Sequence, residues 1–172
     1  MEPWLLVIII VVGIYLLLLV TNVIFVVSFY VIMKKHDRAI NIILRSKYDG
    51  LKQMVKLLEK NEITISNEIK KLTEEIDEVL LEDLKVNVYE DIKKKLSYLK
   101  SLIYSALEEN EQIKQTDEFE LIDDNISQLD NVYRTNVIMY NADVLGYNYW
   151  VRFLPCRYIW LIFRFKLKDL IS

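Results

Sequence analysis

From Trp4 to Met33 the chain runs through 30 residues without one charged side chain. A helix crossing a bilayer needs about 20 apolar residues, and 30 helical residues reach about 45 Å, so the run has length to spare. A soluble globular fold is excluded. A cleaved secretory signal would need a basic leading segment, an apolar stretch of about 7–15 residues and a small-residue cleavage site. Here Met1-Glu2-Pro3 is acidic, the stretch is far longer, and no small-x-small pair precedes Lys34. The run therefore reads as a retained transmembrane anchor, residues 1–33.

Trp4 at one end and Phe29 and Tyr30 at the other suit the aromatic belts of a spanning helix. Lys34, Lys35 and Arg38 come directly after, against Glu2 on the opposite flank. The positive-inside rule then sets the amino terminus outside and the bulk of the chain in the cytoplasm, as a single-pass membrane protein. The 172 residues allow one folded unit besides the anchor, and three glycines and two prolines mean few turns and long helices.

Charge is distributed in blocks. Residues 34–56 hold seven basic and two acidic side chains, residues 59–131 nine basic and twenty acidic, and residues 132–172 six basic and two acidic. Basic ends around an acidic middle suit a protein whose two ends lie near anionic lipid while its middle hangs away. The lipid bilayer is thus the first partner implied. Nucleic acid is not a partner, because the acidic middle repels phosphate. The single cysteine, Cys156, excludes an internal disulfide and a cysteine-based zinc site.

Beyond the anchor, apolar residues recur in steps of three and four. The first stripe, Ile40, Ile43, Leu44, Leu51, Met54, Val55 and Leu58, continues the membrane helix and is interrupted at Asn61 and Glu62. The second runs Ile65, Ile69, Leu72, Ile76, Val79 and Leu80, with Thr64 or Ser66 as cap. The third runs Leu84, Val88, Ile92, Leu96, Leu99, Ile103 and Leu107. A polar loop spans 108–116, and Asp117 with Glu120 resembles a capping box opening the last helix. The fourth stripe, Phe119, Ile122, Ile126, Leu129, Tyr133, Val137, Tyr140, Val144 and Tyr147, has the 3.5 spacing of a coiled-coil-like seam. The expected fold is all-α: one transmembrane helix, then an antiparallel bundle of four long helices over 34–148.

The tail, residues 149–172, interleaves aromatic and basic side chains. Trp150, Phe153, Tyr158, Trp160, Phe163 and Phe165 alternate with Arg152, Arg157, Arg164, Lys166 and Lys168. Its longest uncharged piece, 158–163, is too short to span. An amphipathic helix on the membrane surface fits, with Trp150, Arg152, Arg157, Trp160 and Arg164 at the interface. The alternative is a strap that packs back on the bundle.

The segment Tyr140-Asn141-Ala142-Asp143-Val144-Leu145-Gly146-Tyr147-Asn148 resembles the LemA family, whose last helix carries a repeated Tyr-Asn pair at this spacing. Asp130-Asn131, Pro155, the Tyr104/Leu107/Asn110 set and Lys47-Tyr48-Asp49 with Leu51 fall where that family has related segments. Ser105 and Lys52 stand where it has prolines, and Val137 where an arginine is common. The resemblance implies a membrane-anchored helical bundle with no catalytic residues to carry over. Tyr140, Asn141, Tyr147 and Asn148 then read either as seam and flank groups or as a hydrogen-bonding patch for a partner helix.

Catalytic chemistry finds no footing. His36 is the only histidine, so there is no Ser/His/Asp set, no His-Glu-x-x-His and no Glu-x-x-His pair for a di-iron bundle. Acidic clusters such as Glu74/Glu75/Asp77/Glu78 read as solvated helix faces rather than metal sites. The expectation is a non-enzymatic protein without cofactor or metal, presenting its bundle as a scaffold to an unidentified membrane or cytoplasmic protein. The rival expectation is a membrane-active homo-oligomer, pore-forming or bilayer-remodelling, associating through Gly13, Thr21 and Asn22. An accessory subunit of a membrane protease or transporter is a partner-specific form of the first.

Overall fold

The computed structural model describes residues 2–81, 84–108, 110–153, 157, 160 and 165–171. In chain order they form α1 (Pro3–Lys60), α2 (Asn67–Leu80), a 3-10 turn (Val86–Val88), α3 (Tyr89–Ala106), the single turn α4 (Glu111–Lys114) and α5 (Asp117–Arg152), with no strand among the described residues. Pro3 opens α1 at the position where a missing N–H costs nothing. The membrane stretch and the first stripe are thus one helix of 58 residues, long and apolar enough at its start to cross a bilayer.

The helix ends are set by side chains and by one unusual residue. α1 stops where Glu62 takes φ 61°. There the Ile63 N–H reaches the Leu58 carbonyl and the Glu62 N–H the Glu59 carbonyl, both at 3.1 Å, the paired bonds of a Schellman close. Glycine holds this left-handed position without the Cβ penalty that glutamate bears. Glu62→Gly should therefore stabilise the fold by about 0.5–1 kcal/mol. Denaturant titration of the full chain in micelles checks this, and a lowered midpoint contradicts it. The Ser66 hydroxyl caps α2 by accepting from the Ile69 N–H at 3.2 Å. α5 is capped by Thr116, which accepts from the Phe119 N–H at 3.3 Å, and not by an Asp117/Glu120 box. With Thr116 as cap, the third helical position is Phe119, which has no side-chain acceptor to reciprocate. Asp117, Glu118 and Glu120 instead favour the positive end of the helix dipole.

The chain divides into two compact units: residues 1–36 with 139–170, and residues 37–138 with 171–172. The second unit is the bundle. Tyr98 with Glu68 and Lys95 with Glu75 run α2 and α3 antiparallel. Lys100 with Asp123 and Tyr104 with Phe119 do the same for α3 and α5. Lys47 with Asp130 and Lys60 with Glu118 do so for α1 and α5. It follows that α2 runs opposite to α1, which it meets where Tyr48 donates to the Thr73 carbonyl and Lys52 pairs with Asp77. The stripes read from the sequence fill the interior: Ile40, Leu44, Leu51, Leu58, Ile69, Ile76, Ile92, Leu96, Leu99, Ile103 and Ile126 are almost fully buried.

Tyrosine–lysine contacts close the edges of this core. Lys52 lies over the Tyr48 ring at 5.1 Å, Lys93 over Tyr133 at 5.5 Å and Lys100 over Tyr104 at 5.3 Å. Burial and nearby carboxylates push the Tyr48 and Tyr104 phenols well above the ordinary tyrosine range, through Asp77 and Asp123 respectively. Both therefore stay neutral donors across any physiological pH. Inside the loop expected at 108–116, α4 buries Ile113, which pins the connection.

Candidate functional site

The unit formed by residues 1–36 and 139–170 holds the candidate site. Every residue from Pro3 to Leu18 is exposed, and an 18-residue window in α1 reaches mean hydropathy 3.0 with none of it buried. A core helix of a soluble protein would have these side chains covered. Eighteen helical residues span about 27 Å, close to the hydrocarbon thickness of a bilayer. Asn22 is the first buried residue along the chain.

Asn22 ties α1 to the end of α5 and to the tail. Its Nδ2 donates to the Trp150 carbonyl at 2.9 Å, and its Oδ1 accepts from Trp160 Nε1 at 2.7 Å. Trp150 lies in the last turn of α5, where carbonyls lack intrahelical partners, so Asn22 caps α5 from another helix. Around this node Val26, Tyr147, Val151 and Trp160 form a core, with Leu19, Phe29, Trp150 and Phe153 packed against it. Phe25 stacks on Trp150 at 4.6 Å and 6° between planes. Within the unit α5 runs antiparallel to α1, as Asn22 with Trp150 and His36 with Asp143 show.

The Tyr-Asn pair at 147–148 holds the tail. Asn148 Nδ2 donates to the Lys168 carbonyl and Asn148 Oδ1 accepts from the Lys168 N–H, both at 2.9 Å. That reciprocal pair mimics one rung of a β ladder and fixes an irregular segment whose backbone has no helix to satisfy it. Tyr147 is buried and donates to the Lys166 carbonyl at 3.3 Å. Gly146 permits the close approach on this side: a Cβ there would stand 2.5 Å from the Phe29 ring.

The residues singled out from the sequence divide between this cluster and the open surface. Trp4 is exposed and donates to Glu2 at 2.7 Å. Phe29 sits against Gly146, and Tyr30 tilts on Tyr147 at 6.2 Å with Lys168 over its ring. Lys34, Lys35, Arg38, Arg152 and Arg157 are exposed, Trp150 is half-buried and Trp160 is buried. Tyr140 is buried and Asn141 half-buried. Pro155, Cys156, Tyr158, Phe163 and Arg164 lie outside the described residues. Phe29, Tyr30, Tyr147, Asn148, Trp150 and Trp160 thus come together, while Trp4 stands apart from them. The organiser, Asn22, was legible only as a lone carboxamide in an uncharged run, a pattern that in membrane segments marks a specific contact.

His36 Nε2 stands 3.7 Å from Asp143 Oδ2, too far for a hydrogen bond, and that oxygen has no hydrogen-bond partner among the described residues. Burial raises the Asp143 carboxyl above the usual range, with His36 opposing the shift. Among the described residues no three His, Cys, Asp or Glu side chains gather as a metal would need. No protein-family model, curated protein or solved structure matches the chain.

Proposed function

We propose that this chain is a single-pass membrane protein that presents its helical bundle as a docking scaffold, with the amino terminus outside and the bundle in the cytoplasm. The observation that carries the reading is the bare apolar window of α1, mean hydropathy 3.0 with none of it buried. Lipid is the solvent that removes the cost of exposing so much apolar surface. The scaffold role rests on what the bundle offers: an acidic middle on a salt-bridged set of helices. Kinship with LemA proteins belongs to the same proposal and rests on the Tyr140–Asn148 segment and its companion motifs.

Reconstitution into vesicles tests it. The full chain should resist alkaline extraction, leave an enclosed dye in place and capture a protein neighbour on crosslinking in native membrane. Dye leakage instead favours the pore-forming homo-oligomer. Orientation is read from a cysteine introduced as Ser97→Cys on the exposed face of α3, with Cys156→Ser. A membrane-impermeant maleimide should label it only after the cells are opened, and labelling of intact cells inverts the orientation.

A further inference from the structure

We infer that the cavity between the last turn of α5 and the tail is a binding site for an anionic phospholipid, one molecule per chain. This inference rests on the proposed membrane anchoring and gives it a specific lipid partner. The cavity measures about 400 Å³ and is lined by Val151, Arg152, Arg157, Trp160, Phe165 and Leu167. Its size falls in the range of small-ligand sites. Its lining is mixed, joining the guanidinium groups of Arg152 and Arg157 with the apolar side chains of Val151, Phe165 and Leu167. Arg152 and Arg157 are both exposed, and among the described residues neither has a carboxylate partner.

Guanidinium forks match phosphate oxygens and hold them through charge-assisted hydrogen bonds. A bare inorganic anion would use the arginines and leave the wall of Val151, Phe165 and Leu167 without a role. An acyl chain leaving a phosphate headgroup would cover that wall. Trp160, which lines the cavity, is tied through its Nε1 to Asn22, the first buried residue after the bare apolar window. Exposed apolar side chains continue past that point through Ile24, Val27, Val31 and Ile32 to the first charges at Lys34 and Lys35, so the cavity lies in the half of the apolar run that leads to the basic flank. The neighbouring groove, about 900 Å³, shares Arg152 but brings in Asp169, whose carboxylate repels phosphate. Among the described residues the smaller cavity has no acidic lining group.

Native mass spectrometry of the full chain from micelles containing equal phosphatidylglycerol and phosphatidylcholine tests the assignment. One phosphatidylglycerol per chain should be retained in preference. Arg152→Gln with Arg157→Gln should weaken retention by about tenfold or more, while Arg134→Gln on the bundle leaves it unchanged. Equal retention of the two lipids, or a preference untouched by the double substitution, overturns the site. Displacement of the lipid by millimolar inorganic phosphate overturns the amphiphile assignment in favour of a free anion. Flotation with phosphatidylcholine vesicles keeps the two readings apart. Variants that float but lose the preference support the cavity, whereas an unsubstituted chain that does not float overturns both.

Discussion

Asn22→Leu should release the tail and speed amide exchange at Lys168 by about a hundredfold. The leucine is close in size but removes both hydrogen bonds that Asn22 makes, to the Trp150 carbonyl and from Trp160 Nε1. The Trp150 carbonyl keeps a weaker partner in the Phe153 N–H at 3.3 Å. The Trp160 indole, 5 % exposed, keeps none among the described residues. Leaving one buried donor unmet costs about 1–3 kcal/mol and losing the second bond about 1 kcal/mol, so roughly 3 kcal/mol in all. That is about a hundredfold in the population of tail-open chains. The Lys168 N–H, held by Asn148 Oδ1, reports the opening directly by hydrogen exchange, while amides in the bundle around Leu99 should be unaffected. Adding Trp160→Phe to Asn22→Leu removes the orphaned donor and should recover part of the loss. Unchanged exchange at Lys168 would show that Asn22 does not hold the tail.

That result bears on function because the tail carries the basic groups assigned to lipid. The tail contributes Arg157 and Trp160 to the cavity lining and the last turn of α5 contributes Val151 and Arg152. A tail that comes away takes Arg157 with it and opens the apolar wall to water. Retention of phosphatidylglycerol should therefore fall in Asn22→Leu although neither arginine has been touched.

Much of the fold is legible in the sequence because one physical rule dominates it. Apolar residues at steps of three and four must share a face, and the buried positions of α2, α3 and α5 track the stripes almost residue for residue. The break between α2 and α3 shows where the rule goes silent. Leu80, Leu84 and Val88 keep the four-residue step straight through it, and no glycine or proline marks it. The chain leaves the helix there even so, with Leu81 85 % exposed. The anchor run shows a second limit. Lipid and a protein interior both select uncharged, apolar side chains, so the run from Trp4 to Met33 cannot reveal that cover begins at Asn22. Residues 139–148 read as bundle by periodicity, yet they group with the anchor, because Gly146 and Tyr147 meet Phe29 and Tyr30. Nor does the sequence pair Asn148 with Lys168 or Asn22 with Trp160. Such bonds depend on where separated segments meet, and no local pattern encodes that.

Two of the motifs behind the family resemblance do meet, and their contact yields an asymmetric pair of outcomes. Lys47 and Asp130, 83 residues apart, pair at 2.6 Å in the bundle. The environments differ: the lysine side chain is 7 % exposed and the aspartate 42 %. Removing the aspartate strands an ammonium group among apolar side chains, a change that costs about 3–5 kcal/mol when the pair is fully buried. Water reaching the half-exposed Asp130 position reduces this, so Asp130→Ala should cost about 2–3 kcal/mol. Lys47→Met acts in the other direction, because methionine fills the space of the lysine stem and the aspartate left behind is rehydrated. Its cost should stay below about 1 kcal/mol. For a chain of this size the melting temperature should fall by about 4–12 °C in Asp130→Ala and by less than about 4 °C in Lys47→Met. The double variant should lie near Lys47→Met, since no buried charge then remains. Equal losses in the two single variants would mean that the ammonium is solvated, and that this contact adds little to holding α1 against α5.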